Sequence, residues 1–177
     1  MLSFRQLYIF VEGNDDERFF SKILPFILKE KYNVIKIIKY AQMKKEKVCA
    51  FIKSIKAMKS FYIFVTDINN SPCITAKKEK TINEYRNLDS NNIIVVVKEI
   101  ESWYLAGLDS KACDKLGIDD LRDTEHVTKE KFDSLIPDRF TSRIDFMLEI
   151  LRNFSVEIAI QKNSSFRYFV HKYDPPV

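Results

Sequence analysis

Leu7-Tyr8-Ile9-Phe10-Val11-Glu12-Gly13 is the stretch that decides the fold. Its five apolar residues are too few for a helix and too uniform for a strand with one wet face. The run predicts a strand buried on both sides, as in a parallel sheet covered by helices. It stops on a carboxylate and a glycine. Asn14 follows as a candidate helix cap, with Glu17 three residues on in a capping-box pattern. Phe19, Phe20, Ile23, Leu24, Phe26, Ile27 and Leu28 supply that helix with a wide apolar face, and Pro25 is expected to kink it.

The same alternation continues downstream. A short strand is predicted over 34–38 and an amphipathic helix over 44–58, with Val48, Phe51, Ile52 and Ile55 on one side. Phe61-Tyr62-Ile63-Phe64-Val65 is a third strand, ending at Thr66-Asp67. A polar stretch over 69–80 precedes a helix over 81–88. Ile93-Ile94-Val95-Val96-Val97 is a fourth strand, followed by Lys98-Glu99 and a helix over 100–106 that stops at Gly107, a candidate C′ residue. Strands alternating with helices imply parallel pairing and right-handed crossovers. Beyond Leu108 helical pieces dominate, at 109–115, 128–135, 142–154 and 166–173, with an edge strand placed near 156–160. The fold class is α/β: a Rossmann-like parallel sheet of about four strands flanked by helices over 1–108, and a mostly helical extension over 109–177 packed on it.

Bulk composition agrees with a globular chain. Of 177 residues, 46% are hydrophobic and 31% charged, enough apolar surface for a folded core. Net charge is only +4, but it is unevenly placed. Residues 28–80 carry thirteen lysines against four acids, a local +9, and residues 99–138 carry eleven acids against five bases, a local −6. A basic half and an acidic half suit a protein that holds a polyanion beside a metal, and they suit solvated helix faces equally. Cys49, Cys73 and Cys113 show no metal-ligand spacing, which predicts reduced thiols and a cytoplasmic protein. The N-terminus lacks a signal-peptide layout, and no apolar run approaches the ~20 residues of a membrane span.

Ligands of open parallel sheets bind beyond the carboxyl ends of the strands. Glu12, Asp67, and Glu99 with Glu101 fall at that edge. Carboxylates gathered there repel one another unless a cation lies among them. Mg²⁺ (or Mn²⁺) suits such a site, because it accepts one or two carboxylates, keeps waters and bridges to phosphate oxygens. Gly13 permits a tight turn and a close backbone approach, and the helix behind it favours a phosphate. Asp15, Asp16 and Glu17 offset the helix dipole by about 0.3–1 kcal/mol each, and Asp16 is also a candidate ligand. Asn69 shares a side with Asp67 if the chain stays extended, whereas an Asx-type turn is the other reading of residues 66–69. Glu101 is a ligand if the fourth strand persists and a dipole residue if the helix starts at Ile100. Trp103 fits a core anchor better than a base-stacking platform.

Val11-Glu12-Gly13-Asn14-Asp15-Asp16 resembles the first motif of the Toprim family, a hydrophobic strand ending in Glu-Gly with an acid three residues after the glycine. Phe64-Val65-Thr66-Asp67-Ile68-Asn69 resembles its second, Asp-x-Asp after a strand. Lys98-Glu99-Ile100-Glu101-Ser102-Trp103 is similar to the Glu-x-Glu-x-Trp stretch of small Toprim-like proteins related to the nuclease domain of the OLD family, and Ser165-Phe166-Arg167-Tyr168-Phe169 to their C-terminal helix. The resemblance implies that Glu12 and Asp67 bind a divalent metal, that Glu99 or Glu101 adds an acid, and that Lys98 is the nearby lysine. It implies nucleic-acid strand cleavage, and an ATPase-type partner on a separate polypeptide. Asn69 departs from the second Asp of the motif: an amide oxygen can coordinate Mg²⁺ but brings no charge. No nucleophilic tyrosine follows the motifs, which argues against topoisomerase chemistry.

The candidate metal ligands are therefore Glu12, Asp67, Asn69, Glu99, Glu101 and Asp16. Gly13, Lys44, Lys45 and Arg167 are the candidates for holding phosphates of DNA or RNA. Two further readings compete with the nuclease. One is a non-catalytic Toprim-like module that binds nucleic acid or a partner protein, alone or as an oligomer. The other is a receiver-like phosphoacceptor with Asp67 as acceptor, which Glu12-Gly13 and the chain length fit poorly. His126 and His171 lack an i, i+4 partner, so a His-pair zinc site is not expected.

Overall fold

The computed structural model describes residues 4–28 and 31–174. The chain divides into two compact units, Met1–Val95 and Val96–Val177. The expected helical extension over 109–177 lies wholly in the second.

The first unit carries the sheet. Strands β1 (Gln6–Val11), β2 (Val34–Lys39), β3 (Phe61–Asp67) and β4 (Ile93–Val96) form one parallel sheet in the order β2-β1-β3-β4. The α/β class and the four strands read from the apolar runs are those observed. β1 pairs with β3 in the register Leu7↔Phe61 to Phe10↔Phe64, and with β2 from Gln6↔Val34 to Val11↔Lys39. β1 is buried from Leu7 to Val11 on both faces, which is why it reads as an unbroken apolar run. On one face Tyr8, Phe10, Tyr62, Phe64, Ile93 and Val95 pack with Val48, Ile52 and Ile55 of helix α2 (Lys45–Ala57). Phe10 and Phe64 stack at 5.9 Å.

Helix α1 (Asn14–Leu28) begins differently from expectation. Its first helical bond runs from Glu17 N to Gly13 O, so Gly13 and not Asn14 is the capping residue. Asp16 Oδ2 accepts from Gly13 N at 3.1 Å, the backward half of a capping box moved one residue upstream. Asn14 Oδ1 accepts instead from Lys39 Nζ. The helix continues through Pro25 to Leu28, and Phe26 is 78% exposed because it falls off the stripe of Phe19, Phe20, Ile23, Leu24 and Ile27.

Helix α3 spans Ile74–Glu84, earlier than the expected 81–88. Its cap is Cys73, whose Sγ accepts from Ala76 N, an uncommon capping residue. Its buried residues are Lys77 and Thr81, so no apolar stripe announces the first turns. A 3₁₀ turn at Ser90–Asn92 leads into β4.

The second unit is helical among its described residues: α4 (Ile100–Ala106), α5 (Ser110–Leu116), α6 (Lys129–Ser134), α7 (Arg143–Arg152), α8 (Val156–Lys162) and α9 (Ser164–Tyr173). The edge strand expected near 156–160 is α8, because Ser155 caps it through a bond from Ile158 N. Every residue of α4 is buried. Trp103 is fully buried, 5.1 Å from Phe166 and 5.5 Å from Phe169, with its indole N–H on Ser165 Oγ at 2.8 Å. It is a core anchor. Ser165 Oγ also accepts from Val97 N and donates to Asn163 Oδ1, so the Ser165-Phe166 stretch ties α9 into the core.

Gly107 ends α4 at φ −80°, not in the left-handed conformation expected of a C′ glycine. Its requirement is space: a Cβ there would stand 2.2 Å from the Phe154 ring. Gly107→Ala is therefore expected to cost about 1–3 kcal/mol by overpacking, read from denaturant unfolding. A cost within about 0.5 kcal/mol, the range of ordinary surface changes, would contradict this packing.

No helix among the described residues is long and apolar enough to cross a membrane.

Candidate metal centre

β1 and β3 lie side by side, so extending their register past Phe10↔Phe64 sets Glu12 level with Thr66. The side chains meet there. Glu12 Oε1 accepts from Thr66 Oγ1 at 2.9 Å, from Asp67 N at 3.2 Å and from Tyr40 Oη at 3.1 Å. Glu12 and Asp67 thus lie at the carboxyl ends of adjacent strands, both half-buried, with the Glu12 carboxylate on the Asp67 main-chain amide. Oε2 of Glu12 takes no hydrogen bond among the described residues.

Tyr40 follows the last residue of β2, and its backbone N donates to Val11 O. Its ring is buried, stacked on Phe64 at 4.3 Å and edge-on to Tyr85 at 5.5 Å. Burial first, then the Glu12 carboxylate, hold the phenol far above its ordinary range. Tyr40 therefore brings a hydroxyl to the strand ends but keeps its proton. It is a donor there, unsuited to act as a nucleophile.

Around this pair the other expected residues separate by role. Asp16 is 7% exposed and bonds the Gly13 amide. Asp15 pairs with Arg18 at 2.6 Å and Glu17 with Lys39 at 2.7 Å, so these first-turn acids are tied to cations. Gly13 has no left-handed φ, and a Cβ on it would meet Asp16 at an ordinary 3.7 Å. Asn69 does not continue the strand: β3 ends at Asp67, Asn69 turns at φ +48°, and Ser71 N bonds Ile68 O. The extended chain that would set Asn69 on the Asp67 side is absent. Lys44 and Lys45 are exposed at the start of α2, with Lys45 paired to Glu84 at 2.5 Å.

The remaining candidates belong to the second unit. Helix α4 begins at Ile100, so Glu101 lies in its first turn and does not alternate with Glu99 along a strand. Glu99 accepts from Lys129 N, the first amide of α6. Glu101 is nearly buried and pairs with Arg143 of α7, which also reaches Asp133 at 2.6 Å and lies over the Phe132 ring. Burial raises the Glu101 carboxyl above its ordinary range, against the pull of Arg143. Lys98 is exposed at φ +66° and Arg167 is exposed on α9.

Among the described residues no three His, Cys, Asp or Glu side chains stand close enough to share a metal ion. The Glu12–Asp67 pair still fits one chemistry. Mg²⁺ binds through one or two carboxylates and keeps most of its waters, so it needs no protein cage. Sequence reasoning missed Tyr40 and Arg143. For Tyr40 there was a signal: a polar-tipped aromatic directly after a strand, at the edge where ligands bind. Arg143 had none, since its partner is 42 residues away.

No protein-family model matches the chain, and no curated protein matches it in sequence. Among solved structures, the C-terminal region of the OLD protein of Xanthomonas campestris pv. campestris is similar, with a TM-score of 0.49 and 13% identity over 98% of this chain and 95% of that one.

Proposed function

We propose that the chain is a Mg²⁺- or Mn²⁺-dependent nuclease of the Toprim type that cleaves phosphodiester bonds in DNA or RNA, in the cytoplasm and in a defence or repair setting. The observation that supports this reading is the placement of two acids, Glu12 and Asp67, at adjacent strand ends, with Glu12 oriented by three donors that include the Asp67 main-chain amide. Glu12 and Asp67 would hold the ion. When bound, it would supply charge for the developing negative charge on phosphate and lower the pKa of a coordinated water. The amino end of α1, just after Gly13, would favour a phosphate oxygen. The exposed lysines of α2 lie in the same unit and suit the polyanion. A separate ATPase-type protein is the partner that the OLD resemblance implies.

The turn at Asn69, together with the engagement of Glu99 and Glu101 within the second unit, favours a second reading: a Toprim-like module that binds nucleic acid without cutting it. Labelled DNA and RNA incubated with Mg²⁺ or Mn²⁺ separate the two. The nuclease reading expects nicking that stops with chelator and is lost in Glu12→Gln. Binding without cleavage of either polymer, in both metals, replaces it by the second reading.

A further inference from the structure

We infer that Tyr40, assisted by Thr66, is a specificity-determining residue: by filling one oxygen of Glu12 with hydrogen bonds it makes Glu12 a one-oxygen ligand and so selects Mg²⁺ over Ca²⁺. This rests on the reading of Glu12 and Asp67 as the metal pair.

A carboxylate offers about four lone-pair directions, two on each oxygen. Three donors converge on Oε1: Tyr40 Oη at 3.1 Å, Thr66 Oγ1 at 2.9 Å and Asp67 N at 3.2 Å. That oxygen is saturated. Oε2, with no hydrogen bond among the described residues, is what Glu12 has left to offer a cation. Ca²⁺ takes six to eight oxygens and commonly uses carboxylates through both oxygens, whereas Mg²⁺ takes single oxygens in an octahedron completed by water. A Glu12 held in this way suits Mg²⁺ and denies Ca²⁺ its two-oxygen grip.

The hold on Glu12 is rigid. Tyr40 is 5% exposed and Thr66 3% exposed, so both donors come from buried residues. The Tyr40 ring packs against Phe64 and Tyr85, which also touch each other. Phenylalanine would fill the same ring space, so core packing accounts for the ring and not for the hydroxyl. A buried hydroxyl is costly unless it is bonded, and this one is spent on Glu12.

The test is thermal unfolding of the whole chain against MgCl₂ and CaCl₂ titrations, in wild type, Tyr40→Phe and Tyr40→Phe/Thr66→Val. The metal-free melting temperature checks each fold, and if the double variant is unfolded, Tyr40→Phe alone carries the test. The wild type is expected to respond at lower Mg²⁺ than Ca²⁺ concentration. In the double variant the half-saturating Mg²⁺ concentration should rise about tenfold, as for other partners that orient a metal ligand, and the Ca²⁺-to-Mg²⁺ ratio should fall. The single variant should fall between. A purely structural hydroxyl would lower the melting temperature and leave that ratio unchanged; an unchanged ratio in variants that still respond to Mg²⁺ overturns the inference alone. A wild type that responds to neither ion overturns the metal site itself, and this inference with it.

Discussion

Glu12→Gln is expected to abolish the stabilisation of the folded chain by Mg²⁺. A ligand that binds only the native state stabilises it by mass action, about 2.7 kcal/mol at a hundredfold excess over Kd. For a chain of this size that is a rise in melting temperature on the order of 5–10 °C. Glutamine keeps the side-chain shape, and its amide oxygen can still accept from Tyr40, Thr66 and the Asp67 amide. Packing therefore survives while the negative charge is lost. Asp67→Asn should behave alike. Metal-dependent cleavage should fall in parallel, by about a hundredfold or more, since even partners that only orient a ligand are worth 10–100-fold in affinity or activity. If both substitutions leave the metal-dependent shift intact, the ion lies elsewhere.

Arg143→Met has the second large effect. It would strip the nearly buried Glu101 of its cation, and Asp133 of its partner. Breaking a buried pair from one side costs about 3–5 kcal/mol. Because Arg143 is about a quarter exposed, with side-chain accessibility of 23%, the lower end of that range, about 3 kcal/mol, is expected. Removing both charges, in Glu101→Leu/Arg143→Met, should recover most of it. The pH dependence has a definite sign. Burial raises the folded-state pKa of Glu101, so its contribution is most favourable below the unfolded value and is lost as pH rises through the folded one. Without Arg143 that shift widens. Arg143→Met should therefore regain stability relative to wild type on acidification from neutral pH toward the unfolded carboxyl range. Chemical denaturation across that range reads it, and a deficit that stays flat or deepens at lower pH would show that Glu101 is not the group left unpaired.

What the residues announce and what they conceal differ for a physical reason. β1, β3 and β4 are legible because strands buried on both faces need unbroken apolar runs. Glu12 and Asp67 are legible because each run stops on a carboxylate. Helix α3 is hidden because its cap is a cysteine and its inward positions include Lys77 and Thr81. Near residues 156–160 a short alternating pattern suits strand and helix alike, and Ser155 decides for the helix by capping it. Gly107 shows how a correct residue can carry the wrong reason: it ends α4 as expected, but for room against Phe154 and not for a left-handed turn. The site divides in the same way. Local spacing offers Glu99 and Glu101 as a pair, yet Lys129 and Arg143 claim them from far along the chain. Tyr40 reaches Glu12 across 28 positions, a contact that only parallel pairing of β1 and β2 creates.

We propose that Glu12 and Asp67 together hold a divalent metal. Crystals of the wild-type chain grown or soaked with MnCl₂, with anomalous data collected for manganese, test it most directly. A manganese peak is expected within coordination distance of carboxylate oxygens of both Glu12 and Asp67, with no peak at that position in Glu12→Gln. A wild-type crystal with manganese bound elsewhere and none between these two carboxylates would contradict it.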